Sequence, residues 1–342
     1  MWKKRAKQAA SIGIAIVAVG AAVTVWFWRD RPSLDGIDWP EPAIASATLP
    51  DSVTSTWLGV TTLLFDDSET QILIDGFFSR PSLADFLLNR QVDNDMAMIN
   101  FALDEYRMRR LAAIIPVHSH FDHAMDIGAI ANRTSASVLG SASTVEIARG
   151  AGVPEDQVIL AVENRPYEFG HFTVTLLRSR HAPIGWRGTV PLPGSIDEPL
   201  VPPQPVSAWR EGRSYTVIIA HPAGTTIVQG SAGFATDSLR NISADVVMLG
   251  VAGLESLGKE YAEQYWQQLV TATGARSVFP IHFDDFTKPF GEVMPGPKVL
   301  GNIATTATWL EEFRERWDNE VQLFMPEFGR PVPIYAQPLP ES

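Results

Sequence analysis

The sequence predicts a protein of the α/β class with an N-terminal transmembrane helix. Short apolar runs with the length of β-strands recur along the chain, and segments with helical spacing separate them. A long uncharged stretch near the N-terminus precedes this pattern. The 342 residues suffice for one large domain with a substantial core, so the length does not require a second domain.

The N-terminal segment has the features of a membrane anchor. Four lysine and arginine residues within the first seven positions precede an uncharged stretch, Gln8 to Trp28, which is about long enough to cross a bilayer as a helix. Trp26 to Trp28 would form an aromatic belt, and the basic residues would hold the N-terminus in the cytoplasm. We therefore expect residues 1–31 to be an anchor and the rest of the chain to be on the periplasmic or extracellular side. A cleaved signal peptide is the competing interpretation, because small residues at 21–22 and at 45–47 offer cleavage sites.

The remaining chain divides into a linker and one domain. Residues 32–53 are predicted to be an extended linker, because prolines recur there together with glycine and aspartate. The domain is expected to cover residues 54–342. Strand patterns occur at residues 56–65, 71–75, 112–117, 172–177, 215–220, 225–229, 246–249 and 277–281. Helical spacing occurs at residues 83–88, 103–111, 255–273 and 303–317, and a capping-box pattern at Ser143 to Glu146 predicts a further helix that ends near Gly150.

The most informative motif follows the predicted strand at 112–117. It reads His118-Ser119-His120-Phe121-Asp122-His123 and holds three of the seven histidines of the chain. Imidazole nitrogens and a carboxylate are ligands that zinc and similar cations accept. His118 and His120 are two residues apart on an extended strand end, so they can reach one ion together. If a helix begins at Phe121, Asp122 and His123 can face a second position close by.

This motif resembles the metallo-β-lactamase superfamily of metal-dependent hydrolases. The resemblance includes Asp75 at the end of an upstream apolar strand and single histidines downstream. Thr56-Trp57-Leu58-Gly59 is similar to the branch that contains ascorbate-lactonase-like and phospholipase-D-like members. The resemblance covers about Thr54 to Pro326, and it implies a four-layer αββα sandwich with metals at one edge of two sheets.

The resemblance also implies a ligand set and the role of a neighbouring carboxylate. The first metal would be bound by His118, His120 and His181, and the second by Asp122, His123 and His282. Asp75 would accept hydrogen bonds from the motif loop or from a ligand histidine rather than bind metal itself. The remaining histidines, His171 and His221, are expected to be ordinary core or surface residues.

One position departs from the superfamily pattern. Most two-metal members have a bridging aspartate after a glycine at a strand end, whereas this chain has Ser231 after Gly230. A neutral hydroxyl is a poor bridge between two dications, which disfavours occupancy by two ions. Asp237, Asp284 or Asp285 are the alternatives for this ligand. With one ion, we expect His118, His120 and His181 to bind it, which leaves Asp122 free as a base.

The segment 182–209 contains seven prolines together with Trp186 and Trp209. Such a segment is neither a helix nor a central strand, so we expect a loop beside the metal site. It would serve either as a lid or substrate wall with aromatic surface, or as a structural insertion.

The expected activity is hydrolysis by a metal-activated water, with Asp122 handling the proton. The metal would be zinc, as one or two ions, with manganese or iron as alternatives. A net charge of -12 argues against a nucleic-acid partner, and the absence of cysteine excludes thiolate ligands and a cysteine nucleophile. We expect a small-molecule or lipid-like ester, lactone or phosphodiester as the substrate. The alternatives are a non-catalytic metal-binding envelope protein and an iron-dependent redox enzyme.

Overall fold

Two mixed β-sheets form the centre of the fold. The computed structural model describes residues 20, 26–40, 52–237 and 239–335, and within these residues each sheet has seven strands. In chain order, the strands of the first sheet are β1 Thr54–Trp57, β2 Leu63–Asp66, β3 Gln71–Ile74, β5 Leu111–Ile115, β6 Ser137–Gly140, β7 Val158–Leu160 and β16 Pro331–Pro333. Their spatial order is β16-β1-β2-β3-β5-β6-β7.

The second sheet is built from the later part of the chain. Its strands are β8 Pro166–Phe169, β9 Phe172–Ser179, β11 Ser214–His221, β12 Gly224–Gln229, β13 Val246–Gly250, β14 Ser277–Ile281 and β15 Gln322–Leu323, in the order β15-β14-β13-β12-β11-β9-β8. A separate short pair joins β4 Gln91–Val92 to β10 Gln204–Pro205. The described α-helices are Leu83–Leu87, Met96–Glu105, Phe121–Ala124, Ile127–Thr134, Ala142–Gly150, Lys259–Trp266 and Ile303–Trp317. The α/β class predicted from the sequence is confirmed.

The two sheets pack face to face, and helices lie outside them. On β3, Ile72 and Ile74 belong to the core shared by both sheets, whereas Leu73 points to the core between the first sheet and its helices. This alternation follows from the two-residue side-chain period of a strand that is covered on both faces. On the outer side of the second sheet, the Tyr265 hydroxyl donates to the Gly250 carbonyl at 2.9 Å.

Three local predictions were wrong. The strand predicted at 56–65 is two strands, β1 and β2, separated by a turn. The helix predicted at 103–111 is Met96–Glu105, whose first turn is capped by the Asp95 carboxylate. The capping box at Ser143 does not form, because Ser141 caps that helix and the Ser143 hydroxyl accepts the Ile196 N–H at 2.9 Å instead.

The described part of the N-terminal segment packs on the domain. Trp28 and Trp39 are buried, and the Trp39 indole donates to Glu311 at 2.7 Å. The segment predicted as a linker, 32–53, therefore contacts the domain over residues 32–40. The predicted membrane span, 8–28, lies outside the described residues except for Gly20 and residues 26–28. Among the residues that are described, no helix has both the length and the apolar character needed to cross a membrane.

Candidate metal centre

The predicted ligands meet at one end of the two sheets, and both sheets contribute to them. His118 lies between β5 and the short helix Phe121–Ala124, and His120 is the N-cap residue of that helix. From the second sheet, His181 follows β9 and His282 comes directly after β14. The structure thus brings together side chains that are far apart in the chain.

His118, His120 and His181 form the first group, with one donor atom from each within 4.8 Å of the others. Nε2 of His118 is 2.9 Å from Nδ1 of His120. The outer nitrogens of two rings are engaged by carbonyls, since His120 Nε2 donates to Pro191 at 3.0 Å and His181 Nδ1 donates to Ala182 at 2.8 Å. Those rings therefore present unprotonated inner nitrogens, which is the arrangement that a bound divalent ion requires.

The environment keeps these imidazoles neutral at pH 7. Burial lowers the pKa of His120 to about 4 and that of His181 to about 3. Burial, followed by the neighbouring imidazoles, lowers the pKa of His118 well below its usual value. Neutral imidazole is the form that binds metal, so the first group fits a divalent ion without a change of protonation.

Metal-free protein is expected to lose stability as the pH falls below about 6.5, the pKa of histidine in an unfolded chain. Below this pH the histidines of the unfolded chain bind protons. In the folded chain, His120 is protonated only near pH 4 and His181 only near pH 3, so protonation favours the unfolded state. Denaturant unfolding in the presence of a chelator, at pH 8 and at pH 5, would measure the loss. His181→Gln should lose less stability over this range than the wild type, whereas His171→Gln, at an exposed position, should match it. An equal loss in His181→Gln and the wild type would contradict the assignment.

Asp122, His123 and His282 form a second group beside the first. Asp122 Oδ2 is 3.4 Å from Nε2 of His123 and 3.5 Å from Nε2 of His282. On the far side, Nδ1 of His123 donates to Asp75 at 2.6 Å, and Asp75 also accepts the Val117 N–H at 2.8 Å. Asp75 therefore orients a ring and the motif loop and is not in either group.

The second group holds an ionised carboxylate and one poorly anchored ring. Burial alone would raise the pKa of Asp122, but His123, His282 and His120 together hold the pKa of this carboxyl far below its usual range. Nδ1 of His282 is buried and has no hydrogen-bond partner among the described residues. Metal-binding histidines usually donate their outer N–H to a fixed acceptor, so this ring lacks the support that His120, His123 and His181 have.

Ser231 lies in the wall of the same cavity, at the position where the superfamily pattern has an aspartate. Asp237 is exposed and does not line this cavity. Asp284 and Asp285 do line it, but Asp284 binds Arg80 and Asp285 binds Arg31. In the described part of the chain, none of these three carboxylates joins either group of ligands.

Five of the six predicted ligands, all except His118, line a cavity of about 370 Å³ whose other walls are mainly apolar. The proline-rich segment predicted as a loop supplies part of the wall through Ala182, Ile184 and Leu192. Farther along, Trp209 is buried in the core of the domain. The segment is thus a cavity wall in its first part and a packed insertion in its second.

A buried ion pair supports the loop that carries His282. Arg80 and Asp284 are 3.5 Å apart with side chains only 5% and 3% exposed, and Asp284 accepts the Val60 N–H at 2.8 Å. The Val60 carbonyl in turn accepts the His282 N–H at 3.0 Å. Val60 and His282 both have positive φ angles, 50° and 58°, which are uncommon for residues other than glycine. Arg80 was not predicted from the sequence, and only its chain position near Asp75 could have suggested a role.

A third histidine cluster lies away from the cavity. Asp67 is 3.2 Å from Nδ1 of His171 and 3.5 Å from Nε2 of His221. This cluster was not predicted from the sequence. Nδ1 of His221 accepts the Ala223 N–H at 3.1 Å. The Asp67 carboxylate is thus held by a hydrogen bond with His171 and by an ionic contact with His221.

Comparison with known proteins identifies the fold through solved structures. No family model matches the chain, and no curated protein matches it. The isothiocyanate hydrolase from Delia radicum gut bacteria is 13% identical with a TM-score of 0.50, and the match covers 83% of this chain and 100% of that one. The metallo-beta-lactamase fold protein YhfI from Bacillus subtilis is 14% identical with a TM-score of 0.49, over 82% of this chain and 99% of that one.

A third solved structure covers a similar part of the chain. Igni18, a metallo hydrolase from the archaeon Ignicoccus hospitalis, is 17% identical with a TM-score of 0.47, over 82% of this chain and 97% of that one. The two mixed sheets, with histidine and aspartate clusters at one end, agree with the resemblance of the HSHFDH motif. We conclude that the chain has an α/β fold with two mixed sheets, like that of the isothiocyanate hydrolase.

Proposed function

We propose that this protein is a metal-dependent hydrolase that cleaves an ester, lactone or phosphodiester bond and is anchored to a membrane by its N-terminal segment. The observation that carries the proposal is the convergence of His118, His120 and His181, all kept neutral by burial, in an apolar cavity. An ionised carboxylate, Asp122, lies beside them. A cation site next to a buried base inside a substrate-sized cavity is the arrangement that hydrolysis by activated water needs.

Each part of the chain has a distinct task in this proposal. A divalent ion bound by His118, His120 and His181 would supply an activated water and polarise a substrate oxygen. Asp122, which its neighbouring imidazoles hold in the ionised form, would serve as the proton acceptor. The carbonyls of Pro191 and Ala182 fix the orientation of the His120 and His181 rings. The apolar walls limit the access of bulk water.

We propose that the protein holds one tightly bound ion, at the three histidines. This proposal is supported by Ser231 in place of a bridging carboxylate and by the unanchored ring of His282. Zinc suits three imidazole ligands, and manganese or iron are alternatives.

Metal analysis of the purified protein is expected to find one tightly held ion per chain. Ser231→Asp should raise the content toward two, because the added charge would offset the repulsion between two dications. Ser231→Ala is the matched control and should leave the content at one. Two tightly held ions in the unaltered protein would contradict the one-ion proposal.

The walls of the cavity favour an amphipathic substrate over a polyanion. Most lining side chains are apolar, and the acidic residues Asp122, Asp284 and Asp285 are the charged ones among the residues that line it, apart from the histidines. A net charge of -12 would further repel a polyanionic substrate.

A panel of generic esters, phosphodiesters and a β-lactam, each assayed with zinc or manganese, would test the hydrolase proposal. We expect metal-dependent turnover of at least one class, lost on chelation and restored by added metal. Bound metal without turnover on any substrate would favour the non-catalytic envelope protein instead. A redox enzyme would need iron and an electron donor, and it would show iron-specific oxidation of an added substrate.

A further inference from the structure

Residues Trp28 to Arg31 pack against side chains that line the metal cavity. The ring of Trp28 is buried, 6.0 Å from that of Phe86 and 6.4 Å from that of Phe286, and both phenylalanines line the cavity. The Arg31 guanidinium donates to the carboxylate of Asp285, whose side chain is fully buried in the same wall. The segment therefore has a fixed position relative to the cavity.

A second connection fixes the segment at Asp30. The Asp30 carbonyl accepts the Lys298 N–H at 2.9 Å, and the Lys298 ammonium donates to the Asp30 carboxylate at 2.9 Å. Pro297 and Leu300, on either side of Lys298, line the cavity. If the chain that precedes Trp26 is bound to a surface, the cavity therefore lies close to that surface.

Large apolar side chains are exposed next to these residues. Trp26 is 64% exposed, and Trp186, directly after the lining residue Gly185, is 82% exposed. Val299 is 57% exposed and adjoins the lining residue Leu300. The stretch that contains Trp186 and the stretch that contains Val299 are neighbours in the fold. Gly253 lies between them and is in contact with both Ile184 and Gly301. Exposed apolar groups concentrated around a cavity indicate an interaction surface.

Basic side chains are interspersed with these apolar groups, although the chain as a whole is acidic. Arg29 and Arg187 are exposed, and the Arg187 guanidinium lies 5.8 Å from the Trp186 ring centre. Lys298 is also exposed and is paired with Asp30. Tryptophan together with arginine and lysine is typical of side chains at the headgroup level of a bilayer. The uncharged sequence from Gln8 also ends at Trp28, where the fixed segment begins.

We propose that the cavity rim, defined as Trp26, Phe27, Trp186, Arg187 and Val299, lies against the headgroups of a lipid bilayer. The substrate is then an amphipathic ester or phosphodiester resident in that bilayer, and its apolar chain enters the apolar part of the cavity. The identity of the reaction rests on the hydrolase function proposed above, whereas the orientation rests only on the rim and the segment Trp28 to Arg31.

Site-directed fluorescence can test this orientation because the chain contains no cysteine. Single variants Trp186→Cys and Val299→Cys of the full-length protein would be labelled with nitrobenzoxadiazole and reconstituted into vesicles of phosphatidylcholine and phosphatidylglycerol. Leu160→Cys is the matched control, because Leu160 is 58% exposed on the edge strand β7 and does not line the cavity. Quenching by a lipid-attached nitroxide is compared with quenching by iodide in the aqueous phase.

We expect the labels at 186 and 299 to shift to shorter emission wavelength and to lose fluorescence to the lipid-attached nitroxide. The label at 160 should respond to iodide alone. The orientation is overturned if the labels at 186 and 299 behave like that at 160. It is also overturned if they are shielded from both quenchers, as a second copy of the chain or another protein on the rim would cause. Because the measurement needs no turnover, lipid quenching without hydrolysis of any substrate would overturn the hydrolase proposal alone.

Discussion

Replacing His118 with alanine is expected to abolish metal-dependent turnover, by about 10³-fold or more, while the fold is retained. The change removes one of three inward-facing nitrogens, and the two that remain cannot hold the ion in a fixed geometry. His118 lies in a loop beyond the end of β5, so no strand pairing depends on its side chain. Asp122→Asn should reduce turnover with less effect on the metal content, because it removes the base rather than a ligand of the first group.

Turnover, metal content and the far-ultraviolet circular dichroism spectrum would be measured together. His171→Ala is the control, since His171 is also a histidine near an aspartate but lies outside the cavity and is exposed. It should retain both activity and metal. Retained activity in both His118→Ala and Asp122→Asn would refute the assignment of the centre.

Replacing Arg80 with methionine is expected to lower the free energy of unfolding by about 3–5 kcal/mol, because it leaves the buried carboxylate of Asp284 without its counter-charge. The Arg80 guanidinium also donates to the carbonyls of Leu58 at 3.1 Å and Phe77 at 3.2 Å, and these acceptors would lose a donor. Gly59 lies against this pair, since a Cβ there would be 2.4 Å from the Arg80 guanidinium. The site therefore has little room in which to rearrange.

Denaturant unfolding would measure this effect against Lys259→Met. Lys259 pairs with Glu312 at the surface, where both side chains are about two-fifths exposed, so its loss should cost less than about 1 kcal/mol. The double variant Arg80→Met with Asp284→Leu should recover part of the stability, because no buried charge is left unpaired. Equal destabilisation by Arg80→Met and Lys259→Met would show that the buried ion pair contributes no more to the free energy of unfolding than the surface pair does.

The fold class and the metal-binding motif were predictable because they depend on local patterns. The strand at Leu111–Ile115 is a short apolar run, and the motif that follows places its ligands within six residues. The helix Met96–Glu105 was predicted several residues too late in the chain. The apolar spacing at 103–111 continues from the end of this helix into β5, although the helix does not. Arg107 has a positive φ of 50° there, so the helix ends before it and β5 begins after it.

The support of the centre could not be predicted, since it depends on contacts between distant segments. Pro191 is one of many prolines in its loop, and only the folded chain shows that its carbonyl fixes His120. The capping-box pattern favours Ser143, but in the folded chain its hydroxyl accepts the Ile196 N–H and Ser141 caps the helix. The same holds for Arg31, which reaches Asp285 only because residues 26–40 pack on the domain.

The ligands of the ion come from both sheets, so a bound ion would cross-link the two sheets of the folded chain. His118 and His120 follow a strand of the first sheet, and His181 follows a strand of the second, so an ion at these residues binds the folded state and not the unfolded one. By mass action, each tenfold rise in free metal above the dissociation constant adds about 1.4 kcal/mol to the free energy of unfolding. The supply of metal in the compartment would thus determine how long the protein survives proteolysis as well as how fast it works.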